Sequence, residues 1–170
     1  MIKNIKNYGR KIYILRDLIR YNNSFHIKTE SVAEHQNFVT LFVIELHSYY
    51  RFNLEKAMIM AATHDLSETV ITDIPHNVKR RFPEIANEIK KAEHKVVSKD
   101  FGLTIYNHFE ELEEGQTVEA KIVMLADVLS CLQYSESEIL LGNTGYMKIV
   151  YDESIERINM ITKELEECKK

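Results

Sequence analysis

Apolar residues recur along this chain at spacings of three and four, with almost no strict alternation. Ile12, Leu15, Leu18 and Ile19 make a first stripe, and Phe38, Leu41, Phe42 and Leu46 a second. Ile85, Ile89, Val96 and Val97 suggest a third, and Ile155, Ile158, Ile161 and Leu165 mark the last segment. That spacing puts each set on one face of an α-helix. Ser31 followed by Glu34 has the form of a capping box, which places His35 in about the first turn of a helix running to about residue 50. Asn53 caps a helix expected from about 54 to 69, and Pro83 suits the start of one running to Gly102. A long helix is expected from about 118 to 141, ending at "GNTG", and an amphipathic one from about 146 to 168. The stretch "FEELEEGQT" between them reads as a solvated acidic connection. No repeat, low-complexity tract or linker interrupts the pattern. The expectation is an all-α fold, one helical domain over residues 1–170.

Composition narrows this reading. Five glycines and two prolines in 170 residues favour long helices over a strand-and-turn fold. A hydrophobic content of 45% with 28% charged residues is that of a soluble globular chain. The net charge of −4 gives no footprint for a nucleic-acid polymer, though a few local cations suffice for a small phosphorylated ligand. No window approaches the ~20 apolar residues of a membrane span, and the charged N-terminus "MIKNIKNYGRKIYILRDLIRY" lacks the core of a signal peptide. Cys131 and Cys168 match no ligand or redox spacing and are expected to be reduced thiols in a cytoplasmic protein.

Against this background "THDLSETVITDIP", residues 63–75, stands out. It follows the apolar "KAMIMAA", yet carries His64, Asp65, Glu68 and Asp73. Buried carboxylates are costly unless paired, hydrogen-bonded or bound to a metal. On a helix, His64 and Glu68 share one face, as do Asp65 and Glu68. Two ligands do not close a metal site, so donors from elsewhere are required. His35 is one candidate, and Asp127, a lone carboxylate within "KIVMLADVLSCL", is another. Two imidazoles and two carboxylates suit a divalent transition metal such as Mn, Co, Fe or Zn. Taken singly, each residue has an ordinary reading as a cap, a satisfied buried acid or a surface charge. His26, His47, His94 and His108 keep that reading.

The order His35, His64-Asp65, Asp127 resembles that of the HD-domain metal-dependent phosphohydrolases. "ESVAEHQ", "AATHDLSETVITDIPHNVK" and "KIVMLADVLSCLQY" look in particular like the bacterial 5′-deoxynucleotidase branch, over about Ile19 to Gly142. The resemblance implies an HD fold with His35, His64, Asp65 and Asp127 as ligands of one divalent metal. It implies that Arg20 orients the substrate phosphate, that Tyr21 packs against the nucleotide, and that Glu68 is the catalytic acid-base residue. Asp73, Ile74, Pro75 and His76 match the substrate-lining turn, with Asp73 also a catalytic candidate, and Lys79 is a basic position just beyond. His35 and Asp65 would border the substrate as well. The implied reaction is hydrolysis of nucleoside 5′-monophosphates, preferably deoxyribonucleotides, by a homodimer. Triphosphate or cyclic-nucleotide hydrolysis, or nucleotide binding without catalysis, are the alternatives. Two departures fall at the substrate turn: Thr72 stands where the family usually has glycine, and His76 where threonine is common. A third, the "GNTG" turn, lies away from the ligands.

Overall fold

Side-chain caps set the helix starts. In the computed structural model, which describes residues 2–168, Ser31 accepts a hydrogen bond from the Glu34 amide while Glu34 reaches back to the Ser31 amide. This capping box opens helix α2, Val32–Leu46, after helix α1, Ile2–Ile12, and a 3-10 turn over Tyr13–Arg16. Asn53 caps α3, Leu54–Thr63, and two short helices follow, α4 Glu68–Ile71 and α5 His76–Arg81. Pro83 opens α6, Pro83–Asp100. Then come α7, Leu103–Glu114, α8, Val118–Leu140, and α9, Tyr146–Glu167. No strand occurs among the described residues; the nearest feature is an isolated antiparallel bridge between Ile19 and Ser31.

Four expectations change. The helix expected to reach residue 69 stops at Thr63, because the chain tightens into three-residue turns, with Leu66 N–H bonded to Thr63 O and Glu68 N–H to Asp65 O. "FEELEEGQT" is largely the end of α7 rather than a connection: Leu112 packs on the core, Glu111 pairs with Lys56 at 2.5 Å, and Gly115 terminates the helix at φ 65°. Leu18 and Ile19 lie beyond the first helical segments, in the extended run that carries the bridge. On α2 the buried face is Val32, His35, Val39, Val43 and Leu46, leaving Phe38 and Leu41 about half exposed. That helix is apolar nearly all round, so periodicity alone did not select the face.

The main core lies where α2, α3, α8 and α9 meet, around Val39, Val43, Met60, Ile122, Leu125, Ile161 and Leu165. A smaller cluster of Leu15, Val32, Leu66 and Phe101 seats the N-terminal segments. Between them runs an irregular segment, residues 21–30, fixed by a buried carboxylate on α8. Glu138 accepts the Ile27 and Lys28 amides at 2.7 and 2.8 Å and the Asn143 side-chain amide at 2.8 Å. Asn143 also donates to Phe25 O, and the Tyr134 hydroxyl to Lys28 O.

Burial by itself would raise the Glu138 pKa, but these donors outweigh it and hold the carboxyl below its ordinary value. A depressed folded-state pKa contributes stability above the ordinary carboxylate range and loses it as pH falls through the depressed value. Glu138→Gln should therefore cost about 2 kcal/mol near neutral pH by leaving buried donors poorly paired. Urea unfolding at stepped pH should find this difference shrinking toward acid.

Candidate active site

His35 is the fourth residue of α2 and is almost fully buried, while Asp127 lies midway along α8. His64 and Asp65 occupy the tightened turn after α3. His35 Nε2 lies 3.3 Å from His64 Nε2 and 3.1 Å from Asp127 Oδ1. Donor atoms of His35, His64 and Asp127 all lie within 4.8 Å of one another. Asp65 stands beside this trio, its Oδ2 3.0 Å from His64 Nε2 and 3.8 Å from His35 Nε2.

The ring nitrogens pointing away from the cluster are also engaged. His64 Nδ1 is 2.7 Å from Ala61 O, so Nδ1 carries a proton and Nε2 is the atom presented to the cluster. His35 Nδ1 lies 3.0 Å from Ser130 Oγ and 2.8 Å from Arg20 Nη1. Of these two neighbours only the hydroxyl can accept a proton from Nδ1. Two imidazole nitrogens and a carboxylate oxygen at this separation, with a second carboxylate alongside, form a donor set that fits a divalent cation.

On the protein groups alone the cluster is electrostatically divided. Burial and the Arg20 guanidinium lower the His35 pKa to about 4, against the pull of Asp127 and Asp65. Burial also disfavours charge on His64, but the carboxylates of Asp65 and Asp127 overcome it and raise its pKa to about 9. Asp127 is held below its ordinary value: burial opposes this, and the His35 hydrogen bond with the charges of His35, His64 and Arg20 prevails. Burial, then Asp65 and Asp73, push Glu68 up to about 10.

Arg20 precedes a residue in left-handed backbone, Tyr21 at φ 57°. The guanidinium bonds Glu30 at 2.7 Å and touches Cys131 Sγ at 3.4 Å, next to His35. The Tyr21 ring stacks coplanar on Tyr134 at 5.1 Å, and its amide donates to Asp73 Oδ2 at 3.3 Å. Arg20, Tyr21, His35, Asp65, Glu68, Asp73, Ile74, Pro75, His76, Lys79 and Asp127 all line one cleft of about 230 Å³. His64 does not; it opens on an adjoining cavity of about 510 Å³ that shares Asp65, Glu68, Lys79 and Asp127. Of the histidines given an ordinary reading, His26 rests near Ser24 O, His47 against Phe52 and His94 against Phe109.

Several lining residues escaped the sequence reading. Cys131 sits one helical turn beyond Asp127, a spacing that would have placed it on the same face. Tyr146, Val150, Glu153, Ser154 and Arg157 form the far wall, contributed by α9. Ser130 and Glu30, which hold His35 and Arg20, lie within the stretches that carry the resemblance, but only the packing reveals what they hold.

The fold and this cluster define the class. An HD-domain phosphohydrolase of Listeria innocua superposes with a TM-score of 0.73, covering 94% of this chain and 80% of its own, at 24% identity. A protein of Pyrococcus horikoshii superposes with a TM-score of 0.80 at 29% identity, covering 99% of this chain and 95% of that one. A 5′-deoxynucleotidase of Yersinia pestis is 28% identical over 140 residues, 72% of this chain and 68% of the relative. The family model of YfbR-like 5′-deoxynucleotidases matches residues 7–169, and the chain belongs to that family.

Thr72 has a left-handed backbone, at φ 70° and ψ 165°. This region is essentially restricted to glycine, and a β-branched residue there stores about 1–3 kcal/mol. Allowing for the greater unfolded-state entropy of glycine, Thr72→Gly should stabilise the chain by about 1 kcal/mol, measured as a raised midpoint in thermal unfolding.

Proposed function

We propose that this chain is a metal-dependent 5′-nucleotidase that hydrolyses deoxyribonucleoside 5′-monophosphates to nucleoside and phosphate. The observation that carries this reading is the convergence of His35, His64 and Asp127 donor atoms beside the Arg20 guanidinium on a cleft. His35, His64, Asp65 and Asp127 would hold the cation, one of Co, Mn, Fe or Zn. When bound, it supplies Lewis acidity and charge neutralisation at the phosphoryl group.

The chain's own residues do the rest. Arg20 offers a planar set of donors to the phosphate oxygens as charge shifts in the transition state. With Nε2 as the ligand atom of His35, Nδ1–H would donate a hydrogen bond to Ser130 Oγ and could not accept one from Arg20, which leaves that guanidinium for the phosphate. Glu68 receives the proton of the attacking water. Burial, then the charges of Asp65 and Asp73, hold its pKa up, and neutralising Asp65 would lower it toward the range of a base. The water oxygen bonds to phosphorus, and the bond to the nucleoside 5′-oxygen breaks with its electron pair on that oxygen, which then takes up a proton. Asp73 stands at the sugar, flanked by Ile74, Pro75 and His76, with Tyr21 and Lys79 bordering the same ligand. We place the enzyme in the cytoplasm as a homodimer, for which the exposed apolar side chains Phe38, Leu41 and Leu140 offer surface; sedimentation tests the association.

Phosphate release from a panel of ribo- and deoxyribonucleoside monophosphates with Co, Mn, Mg and Zn should find deoxyribonucleotides favoured. Asp65→Ala should lose bound metal and turnover together; retained activity would remove the assignment. Glu68→Gln should keep the metal and lower kcat by about 10²–10⁴-fold. Ser130→Ala, measured by metal titration, should weaken affinity by about 10–100-fold through the loosened His35 ring.

A further inference from the structure

The far wall of the cleft is one face of α9. Tyr146, Val150, Glu153 and Arg157 follow one another at intervals of four, three and four, so they project to the same side. The tight turn between α8 and α9 lays the two helices antiparallel, in extended contact. Asp127 lies thirteen residues from the end of α8 and Arg157 eleven from the start of α9, so Arg157 stands near the level of Asp127. At 1.5 Å per residue, Glu153 lies about 6 Å and Tyr146 about 16 Å further along the cleft. A nucleotide whose phosphate meets Arg20 and whose sugar meets Asp73 would therefore lay its base against this wall.

Two side chains there have chemistry suited to a base. Tyr146, half-buried, has its ring centroid 6.5 Å from that of Tyr21 in an edge arrangement and presents an aromatic surface at the cleft. Glu153 lines the same cleft, and its Oε1 is held by Arg80 at 2.5 Å in an ion pair on the protein surface. Such a pair contributes little to stability, but it orients the carboxylate. A carboxylate only accepts hydrogen bonds. It is complementary to an exocyclic amino group and repelled by a carbonyl oxygen in the same position.

We propose that Tyr146 and Glu153 form a nucleobase subsite that stacks the base and selects those with an exocyclic amino group, cytosine over uracil among the pyrimidines. This rests on the nucleotidase reading above. Neither residue touches the metal cluster or the phosphate, so they set which nucleotide enters rather than whether hydrolysis occurs.

The test compares kcat/KM for deoxycytidine and deoxyuridine monophosphates, which differ only at this edge, with base-free 2-deoxyribose 5-phosphate as the reference ester. Wild type should favour the cytosine nucleotide roughly tenfold. Glu153→Gln, whose amide can present either a donor or an acceptor, should bring the ratio within about twofold. Tyr146→Leu should raise KM for both nucleotides roughly tenfold and leave their ratio unchanged. The base-free ester gives each protein its own reference rate, and circular dichroism with thermal unfolding verifies that the variants fold. Hydrolysis of every ester with a wild-type ratio near one, or a ratio unmoved in Glu153→Gln, would overturn the subsite and leave the nucleotidase reading intact. If no ester is hydrolysed, the nucleotidase reading falls, and the subsite is judged by the same ratio in dissociation constants from calorimetry.

Discussion

Everything in this protein depends on holding two imidazoles and two carboxylates together inside a helical bundle. Isolated charges there would be expelled by the cost of desolvation, and the chain prevents this by giving each group a fixed neighbour. Ala61 O fixes His64, Ser130 Oγ and Arg20 flank His35, and Glu30 balances Arg20. The opposed shifts at His35 and His64 record the same tension: at His35 burial and the Arg20 guanidinium outweigh the carboxylates, and at His64 the carboxylates outweigh burial. A cation held at the shared focus would relieve it, and the donor set has the chemistry to hold one.

The segment carrying Arg20 and Tyr21 has almost no regular structure of its own. Four backbone groups of the run that follows are satisfied by Glu138 and Tyr134 of α8 and by Asn143 in the turn after it. Irregular chain near an active site usually moves, and here three buried hydrogen-bonding side chains restrain it. The stack of Tyr21 on Tyr134 extends the same attachment into the cleft.

Much of this was legible in advance, for identifiable reasons. Caps are local chemistry, so Ser31, Asn53 and Pro83 announced their helices directly. The charges of "THDLSE" on an apolar background announced the site, and Asp127 could be paired with them because it is the one carboxylate in an apolar run. The resemblance then supplied Arg20, Glu68 and the turn after it. What could not be read was anything decided by packing between distant segments. The face of α2 is ambiguous in a helix apolar all round, and the break after Thr63 has no glycine or proline to mark it. Nothing in "SESEIL" marks Glu138 as buried, and nothing local to α9 reveals that it walls the cleft.

The position of Glu138 has one more consequence. It lies on the same helix as Asp127, eleven residues away, which at 1.5 Å per residue is about 16 Å of uninterrupted α8. The middle of that helix carries a member of the donor cluster, and its C-terminal end carries the anchor for the segment that follows Arg20. The distance between the two is set by the repeat of the peptide backbone, not by side-chain packing that could drift. Helix α8 therefore works as a gauge block: the separation between Asp127 and the Glu138 anchor is machined into a single covalent part.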